Sequence, residues 1–377
     1  ENDFQGARLH YEAALALDPH LPEAHQGMAW ALQEVDPERA ERHWHQGFSG
    51  HSLVVKAYRG IGVAVPLLLL VSARGGNIPT QLWIDERHFA ITALFTEFYD
   101  PGMPLPEHAL VVNAIGDADL CATALERAVR LLAHTAAPVI NRPERVQATG
   151  RATIARRLAA LPGVRAPRID IVSPDAIRDR ADGLEFPLLL RRPGFHTGEH
   201  FLYVGERSAL EGALASLAGD ELLLISYLDA RGADGMARKY RVMFIDGVLY
   251  PLHLAISRDW KVHYFTSNMA DDAAYRAEER RFLEDMPGVL GDTAMAALRQ
   301  ICATLGLEYA GIDFALGVDG SVLLFEANAT MVVFPPGPEP IWDYRRRPIN
   351  AVLSAATRML VKYAHEYAHA TDLDERA

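Results

Sequence analysis

The chain has 377 residues, of which half are hydrophobic and 23% charged, and it carries a formal net charge of −12. That length is more than one core usually holds, so two or more domains are expected. The acidic balance argues against a general nucleic-acid binder, which needs a basic footprint to neutralise phosphates. Two cysteines, Cys121 and Cys302, lie far apart in apolar helical patterns. This argues against a disulfide framework and leads to the expectation of a reducing, cytoplasmic setting. The longest apolar run, "VAVPLLLLV" at 63–71, contains Pro66 and is too short to cross a bilayer. It reads as a buried strand, and no membrane partner is expected. No signal peptide precedes it, and the chain opens partway through a helical pattern, so residues missing upstream are expected.

Residues 1–48 are helical in pattern and free of strand signals. Ala7, Tyr11, Ala14 and Pro19 have the spacing of the second helix and closing proline of a tetratricopeptide repeat. "HLPEAHQGMAWAL" opens the next repeat, and Ala40, Trp44 and Gly47 recur as its second helix. The segment resembles one and a half to two such repeats, the alternative being a plain helical hairpin. A stack so short buries little, so it is expected to pack on the next domain or to extend a longer array. From 60 to 165 strands alternate with helix: "VAVPLLLLVS", "ITALFTEFY", "HALVVNAIG", the amphipathic "ADLCATALERAVRLLAHT", then "APVIN". This predicts a small α/β domain with a largely parallel sheet. Its loops "ARGGNIPT" and "NAIGD" fall where open α/β sheets bind ligands, although a pair such as Gly75-Gly76 is more often a plain turn.

The proline-punctuated "LPGVRAPRIDIVSPD" reads as a boundary near 162–175. Beyond it, "FPLLLRRP", "FLYVG", "ELLLISYL" and "KYRVMFIDGVLYPLHLAI" predict an antiparallel-rich α+β region. Helices follow over 270–306, with Gly306 as a C-cap, and a terminal helix spans 349–367. Between them lies "GIDFALGVDGSVLLFEANAT" at 311–330. Asp-Gly between apolar runs signals a hairpin. A two-residue loop at Asp319-Gly320 sets Asp313 opposite Glu326 and Gly311 opposite Asn328. Asp313, Glu326 and Asn328 then share one face, and Ile312, Phe314, Phe325 and Ala327 the other. Like charges directly opposite repel. Either this is the solvated face of an edge hairpin, or the three oxygen donors hold a hard cation, Mg²⁺ by preference, completed by substrate phosphates.

Three other stretches bear on a nucleotide. The strand "FPLLL" ends in Arg191-Arg192 before a glycine-bearing loop, "PGFHTG", whose free N–H groups could hold phosphate, though a strand-end arginine is more often solvated. "ELLLISYLD" offers exposed backbone to an adenine edge and Asp229 to a ribose, or is simply a strand. Arg241 lies inside the apolar strand "KYRVMFIDG", so it is either paired structurally or aimed into a site.

In this order and spacing, residues 63–365 resemble the ATP-grasp superfamily, most closely its glutathione synthetase-like and ribosomal-protein glutamate ligase-like branches. Arg191 stands at the family's phosphate-binding lysine. "APVINRPERVQATGR" is similar to the entry of the helix that bears a second base, here Arg151. "ISYLDARGADGMARKYRVMFIDG" resembles the hinge and the Arg-Val strand, and the Asp313…Glu326-x-Asn328 hairpin resembles the metal site. Ile256 occupies a position where relatives carry a second arginine, for which Arg258, Lys261 or His253 are the replacements at hand.

The resemblance implies a helical-repeat segment (1–52), a pre-ATP-grasp α/β domain (60–165) and an ATP-grasp domain (166–367), whose small and large subdomains meet near 228–229. It implies ATP and Mg²⁺, with Mn²⁺ as a substitute, held by Asp313, Glu326 and Asn328. Arg151, Arg191, His196, Thr197 and Gly198 would contact phosphate, with the Gly194–Gly198 loop closing over it. Ser226, Tyr227, Leu228 and Asp229 would contact the nucleoside, and Arg241 with Lys261 would stabilise the reacting group. The implied activity is carboxylate–amine ligation through an acyl phosphate, on a small-molecule, amino-acid or peptide substrate. The helical repeats are expected to take a protein or peptide partner, and a homodimer is compatible with them. The rival readings are a non-catalytic nucleotide-sensing scaffold and a phosphotransferase on the same fold.

Overall fold

Six aliphatic residues and a proline leave a strand no polar face, so such a run is stable only in a sheet covered on both sides. In the computed structural model, which describes residues 4–133, 135–194, 200–217, 219–262, 264 and 267–374, that run is β2 (Val65–Val71) at the centre of a five-stranded sheet. Helices α1 (Phe4–Leu17), α2 (Pro22–Leu32) and α3 (Pro37–Phe48) precede it, then β1 (Leu53–Val55). Pro22 and Pro37 begin their helices, where a missing N–H costs nothing, and the Asp36 side chain caps α3 by accepting from the Arg39 N–H. After β2 come β3 (Phe89–Phe95), β4 (Leu110–Asn113), α4 (Ala122–Leu132), β5 (Val139–Ile140) and α5 (Pro143–Gln147). The sheet order is β1-β3-β2-β4-β5, parallel except for β1.

The chain divides into two compact units, and this sheet belongs to the first, built from Glu1–Gly116, Cys121–Glu144 and Leu360–Ala377. Within it Met28, Leu32, Trp44 and Phe48 share a buried cluster with Ala73, against which Phe95 and Phe98 pack. Arg74 lies 4.7 Å above the Trp44 ring and binds Glu41 through 2.8 and 2.6 Å hydrogen bonds. The helices therefore bury their apolar face on the α/β layer. Gly27 lets α1 approach α2: a Cβ there would fall 2.2 Å from the Tyr11 ring.

The second unit, Asp117–Leu120 with Arg145–Met359, holds two sheets. After α6 (Arg151–Leu158), β6 (Val164–Arg165), β7 (Ile169–Val172) and α7 (Pro174–Asp179) come β8 (Leu188–Arg191), β9 (Phe201–Val204), α8 (Leu210–Ser216) and β10 (Leu222–Ser226). The antiparallel order β7-β10-β8-β9 forms the smaller sheet. Next are β11 (Ala237–Ile245), β12 (Val248–Ser257), α9 (Ala273–Glu284), α10 (Met286–Leu305), β13 (Tyr309–Leu316), β14 (Val322–Asn328) and α11 (Asp343–Asp374). The larger sheet runs β12-β11-β13-β14-β6, with only β6 parallel to its neighbour.

The stretch 162–175, expected to hold a boundary, contributes β6 to the larger sheet and β7 to the smaller one, with its prolines flanking these short strands. One expectation is corrected. The terminal helix begins at Asp343, not 349, and runs through Pro348, which lacks the N–H for an i→i−4 hydrogen bond at that position. Gly306 does close α10 in the left-handed conformation, its N–H donating to the Cys302 carbonyl. Among the described residues no helix is long and apolar enough to cross a membrane.

Candidate functional site

Two hairpins build the site, and they turn differently. Asp246-Gly247 is a true two-residue loop: both residues have positive φ (49° and 78°) and Ile245 pairs with Val248. Asp319-Gly320 is not. The Gly317 N–H donates to the Ser321 carbonyl across a three-residue loop, with Gly320 in the left-handed region (φ 75°), so Leu316 faces Val322 and Phe314 faces Leu324. Continued in that register, Asp313 would meet Phe325 and Glu326 would turn into the core. A β-bulge intervenes: Phe325 is the extra residue, and beyond it Asp313 pairs with Glu326 and Gly311 with Asn328. The pairing expected from the Asp-Gly centre is thus reached by a different route. Phe325 moves from its expected place beside Ile312 and Phe314 to the opposite face, packing against a buried cluster that includes Ala255, Ala315 and Leu323.

A second bulge sits on the neighbouring strand pair, between Arg241 and Val242, and leaves Arg241 opposite both His253 on β12 and Asp313 on β13. One face of the larger sheet therefore carries Lys239, Arg241, His253, Asp313, Glu326 and Asn328. The apolar wall of Ala255, Ala315, Leu323 and Phe325, with Leu228 against it, adjoins them.

The charges on this face are interleaved. Arg241 grips Asp313 bidentately, Nε to Oδ1 at 2.5 Å and Nη2 to Oδ2 at 2.7 Å, and Lys239 Nζ lies 3.1 Å from Oδ2. Burial alone would raise the Asp313 pKa, but the charges of Arg241 and Lys239 and the Arg241 hydrogen bonds outweigh it and hold the carboxyl well below its usual range. Glu326 behaves alike. Burial opposes its ionisation, yet Arg151, with Nη2 2.8 Å from Oε1, wins and the pKa is lowered. Asn328 Nδ2 donates to the same Oε1 at 2.9 Å, while its Oδ1 accepts from the Thr330 N–H and hydroxyl. Arg191, at the end of β8, is buried and stacks 5.3 Å from the Phe201 ring centre. Burial and the like charge of Arg151 pull its pKa down to about 10, against the opposing fields of Glu326 and Asp117. The like charges predicted to repel across the hairpin are thus already neutralised by the chain's own cations.

Arg151, Arg191, Arg241, Asp313, Glu326 and Asn328 are accordingly brought together. Ser226 ends β10, where its N–H donates to the Arg168 carbonyl and its hydroxyl accepts from the Arg168 N–H, so those groups are engaged. The Tyr227 ring meets that of Tyr203 at 5.3 Å, and Leu228 faces the apolar wall. Asp229, expected near a ribose, is held by Arg231 through bonds of 2.8 and 2.6 Å, and that hydrogen bonding lowers its pKa. His196, Thr197 and Gly198 lie outside the described residues.

Lys261 and Arg258 are exposed in the loop after β12, and Ile256 is fully buried. His253 instead lies on the site face, with 6% exposure, its ring 4.8 Å from that of Tyr264 and its Nδ1 without a hydrogen-bond partner among the described residues. Lys239 joins this face although it was not among the expected site residues. The signal was present, because Lys239 and Arg241 are two apart on one strand and must share a face.

Among the described residues no group of three or more His, Cys, Asp or Glu side chains could hold a metal ion. Asp313, Glu326 and Asn328 supply two carboxylates and an amide oxygen, a hard donor set whose chemistry fits Mg²⁺ or Mn²⁺ completed by phosphate and water.

No family model and no curated protein matches the chain. Similar solved structures include a RimK domain ATP-grasp protein from Sphaerobacter thermophilus, at 14% identity over 79% of this chain and 99% of that one, with a TM-score of 0.49. The VanG D-Ala:D-Ser ligase of Enterococcus faecalis is 13% identical over 80% and 100%, with a TM-score of 0.48. The ATP-grasp ligase PsnB, complexed with its precursor peptide and AMPPNP, is 14% identical over 78% and 97%, with a TM-score of 0.44.

Proposed function

We propose that this chain is an ATP-dependent carboxylate–amine ligase of the ATP-grasp type, joining an acid to an amine on a small-molecule, amino-acid or peptide substrate. One observation carries the reading. Oxygen donors (Asp313, Glu326, Asn328) and two cations (Lys239, Arg241) share one sheet face beside an apolar wall, and Arg151 from α6 and Arg191 from the end of β8 bring two more cations to it. A nucleotide needs such a combination, with a flat apolar seat for the base and alternating positive groups and metal ligands for the phosphates.

In this reading Arg151 and Arg191 bind phosphate oxygens, and Arg241 neutralises charge on the group being transferred. Bound at Asp313, Glu326 and Asn328, Mg²⁺ supplies Lewis acidity and neutralises phosphate charge. The substrate carboxylate oxygen attacks the terminal phosphorus, the bond to the bridging oxygen breaks, and ADP departs. The amine nitrogen then attacks the acyl carbon of the acyl phosphate, phosphate leaves, and the amine gives up a proton. Burial of Asp313 and Arg191 supports exclusion of water from the acyl phosphate. The α1–α3 segment fits a tetratricopeptide-like unit that offers a peptide partner a surface, its close helix approach at Gly27 supporting that assignment.

A second reading has its own observation. Since Asp313 and Glu326 are already ion-paired, they are stable without metal, as in a nucleotide-sensing scaffold that performs no chemistry. Incubation with ATP, Mg²⁺ and panels of carboxylates and amines separates the readings. Release of ADP and phosphate that depends on both partners is expected. Nucleotide binding with no turnover under any pairing supports the sensor, and a stable phosphorylated product that forms without amine supports a phosphotransferase.

A further inference from the structure

Asp313 holds more positive charge than it requires. Arg241 alone satisfies both carboxylate oxygens, yet Lys239 Nζ lies 3.1 Å from one of them, on a side chain only 13% exposed. A lysine withdrawn that far from water needs an anionic partner, and sharing one carboxylate with an arginine leaves a unit of positive charge on this part of the face. Its place is equally specific. Lys239 pairs across the strand with Ala255 of the apolar wall, and Arg241, two residues on, pairs with Asp313. Lys239 therefore stands between the seat for a base and the row of metal-ligand candidates, where the phosphates of a bound nucleotide must pass.

Resting on the nucleotide-binding reading above, we infer that Lys239 is a phosphate-binding residue. Its ammonium is parked on Asp313 in the free protein and pairs with a nucleotide phosphate oxygen when Asp313 turns to the metal. The exchange conserves charge: the carboxylate trades an ammonium for a divalent ion, and the ammonium trades a carboxylate for a phosphate. Arg241 keeps Asp313 oriented meanwhile.

Calorimetric titration of the full chain with Mn²⁺ alone and with Mg²⁺·AMPPNP tests the exchange. In Lys239→Met, affinity for Mn²⁺ alone is expected to rise, since a competing cation is gone, while affinity for Mg²⁺·AMPPNP falls at least tenfold. Lys239→Arg should recover most of the loss. If Lys239 merely neutralises Asp313, the Met variant binds Mg²⁺·AMPPNP as well as or better than the wild type, and the inference is overturned. A wild-type protein that binds no Mg²⁺·AMPPNP overturns the nucleotide reading itself, a different outcome. Should Lys239→Met not fold, Lys239→Gln carries the same comparison.

Discussion

Asp313 draws on three strands: it sits on β13, receives Arg241 and Lys239 from β11, and faces Glu326 on β14. Removing one member of a buried pair costs about 3–5 kcal/mol, because the remaining charge is left without compensation. Asp313→Asn strands two cations and is expected to lose stability of that order in urea titration, and adding Lys239→Met should restore part of it. An unchanged midpoint in the single variant would contradict the ion-pair account. The acid limb gives a second reading of the same group. Its folded-state pKa lies below the unfolded value, so its contribution is complete above about pH 4 and is lost as pH falls, at up to about 1.4 kcal/mol per pH unit. Below about pH 4 the wild type should lose stability more steeply than Asp313→Asn.

At the scale of the element, the bulge at Phe325 invites a deletion. Leu324 faces the core and Glu326 faces the site, so removing Phe325 leaves a regular alternation with Phe314 still opposite Leu324 and Asp313 still opposite Glu326. The deletion should therefore fold and retain Mg²⁺·AMPPNP binding, losing only what Phe325 contributes to the apolar wall, at most about 3 kcal/mol. Loss of folding, or of metal-dependent binding beyond that, would mean that the bulge itself aims Glu326. This hairpin also marks how far the sequence could be read. Asp319-Gly320 located the turn and the spacing of Asp313, Glu326 and Asn328 located the face, because both depend on local chemistry and the two-residue period. The three-residue loop and the bulge were not legible, since two offsetting single-residue shifts leave the same pairing and no composition marks an extra phenylalanine. β6 and β7 were missed for a related reason. Strands of two and four residues between prolines carry too little periodicity, and only their partners β14 and β10 make them strands. His253 could be singled out only once the register placed it opposite Arg241.

For the whole molecule, charge and architecture point in different directions. The chain carries a net charge of −12, while the site gathers cations from β8, β11 and the start of α6. The proposed nucleotide binding therefore rests on the local field, and bulk charge says little about it. All of the gathered residues, Arg151, Arg191, Lys239, Arg241, Asp313, Glu326 and Asn328, belong to the second unit, whereas β1 to β5 and the α1–α3 cluster form the core of the first. A ligand that binds only the folded second unit stabilises that unit. At a concentration a hundredfold above Kd the gain is about 2.7 kcal/mol. For a unit of this size each kcal/mol raises the midpoint by about 2–4 °C, so a shift of about 5–10 °C is expected. Differential scanning calorimetry with Mg²⁺·AMPPNP should therefore move only part of the unfolding enthalpy upward, and EDTA should return it. If the whole endotherm moves together, the units do not unfold separately, and if none of it moves, no nucleotide is bound. In Asp313→Asn the movable part should begin lower and shift less, because that variant weakens the unit and removes one of the proposed metal ligands.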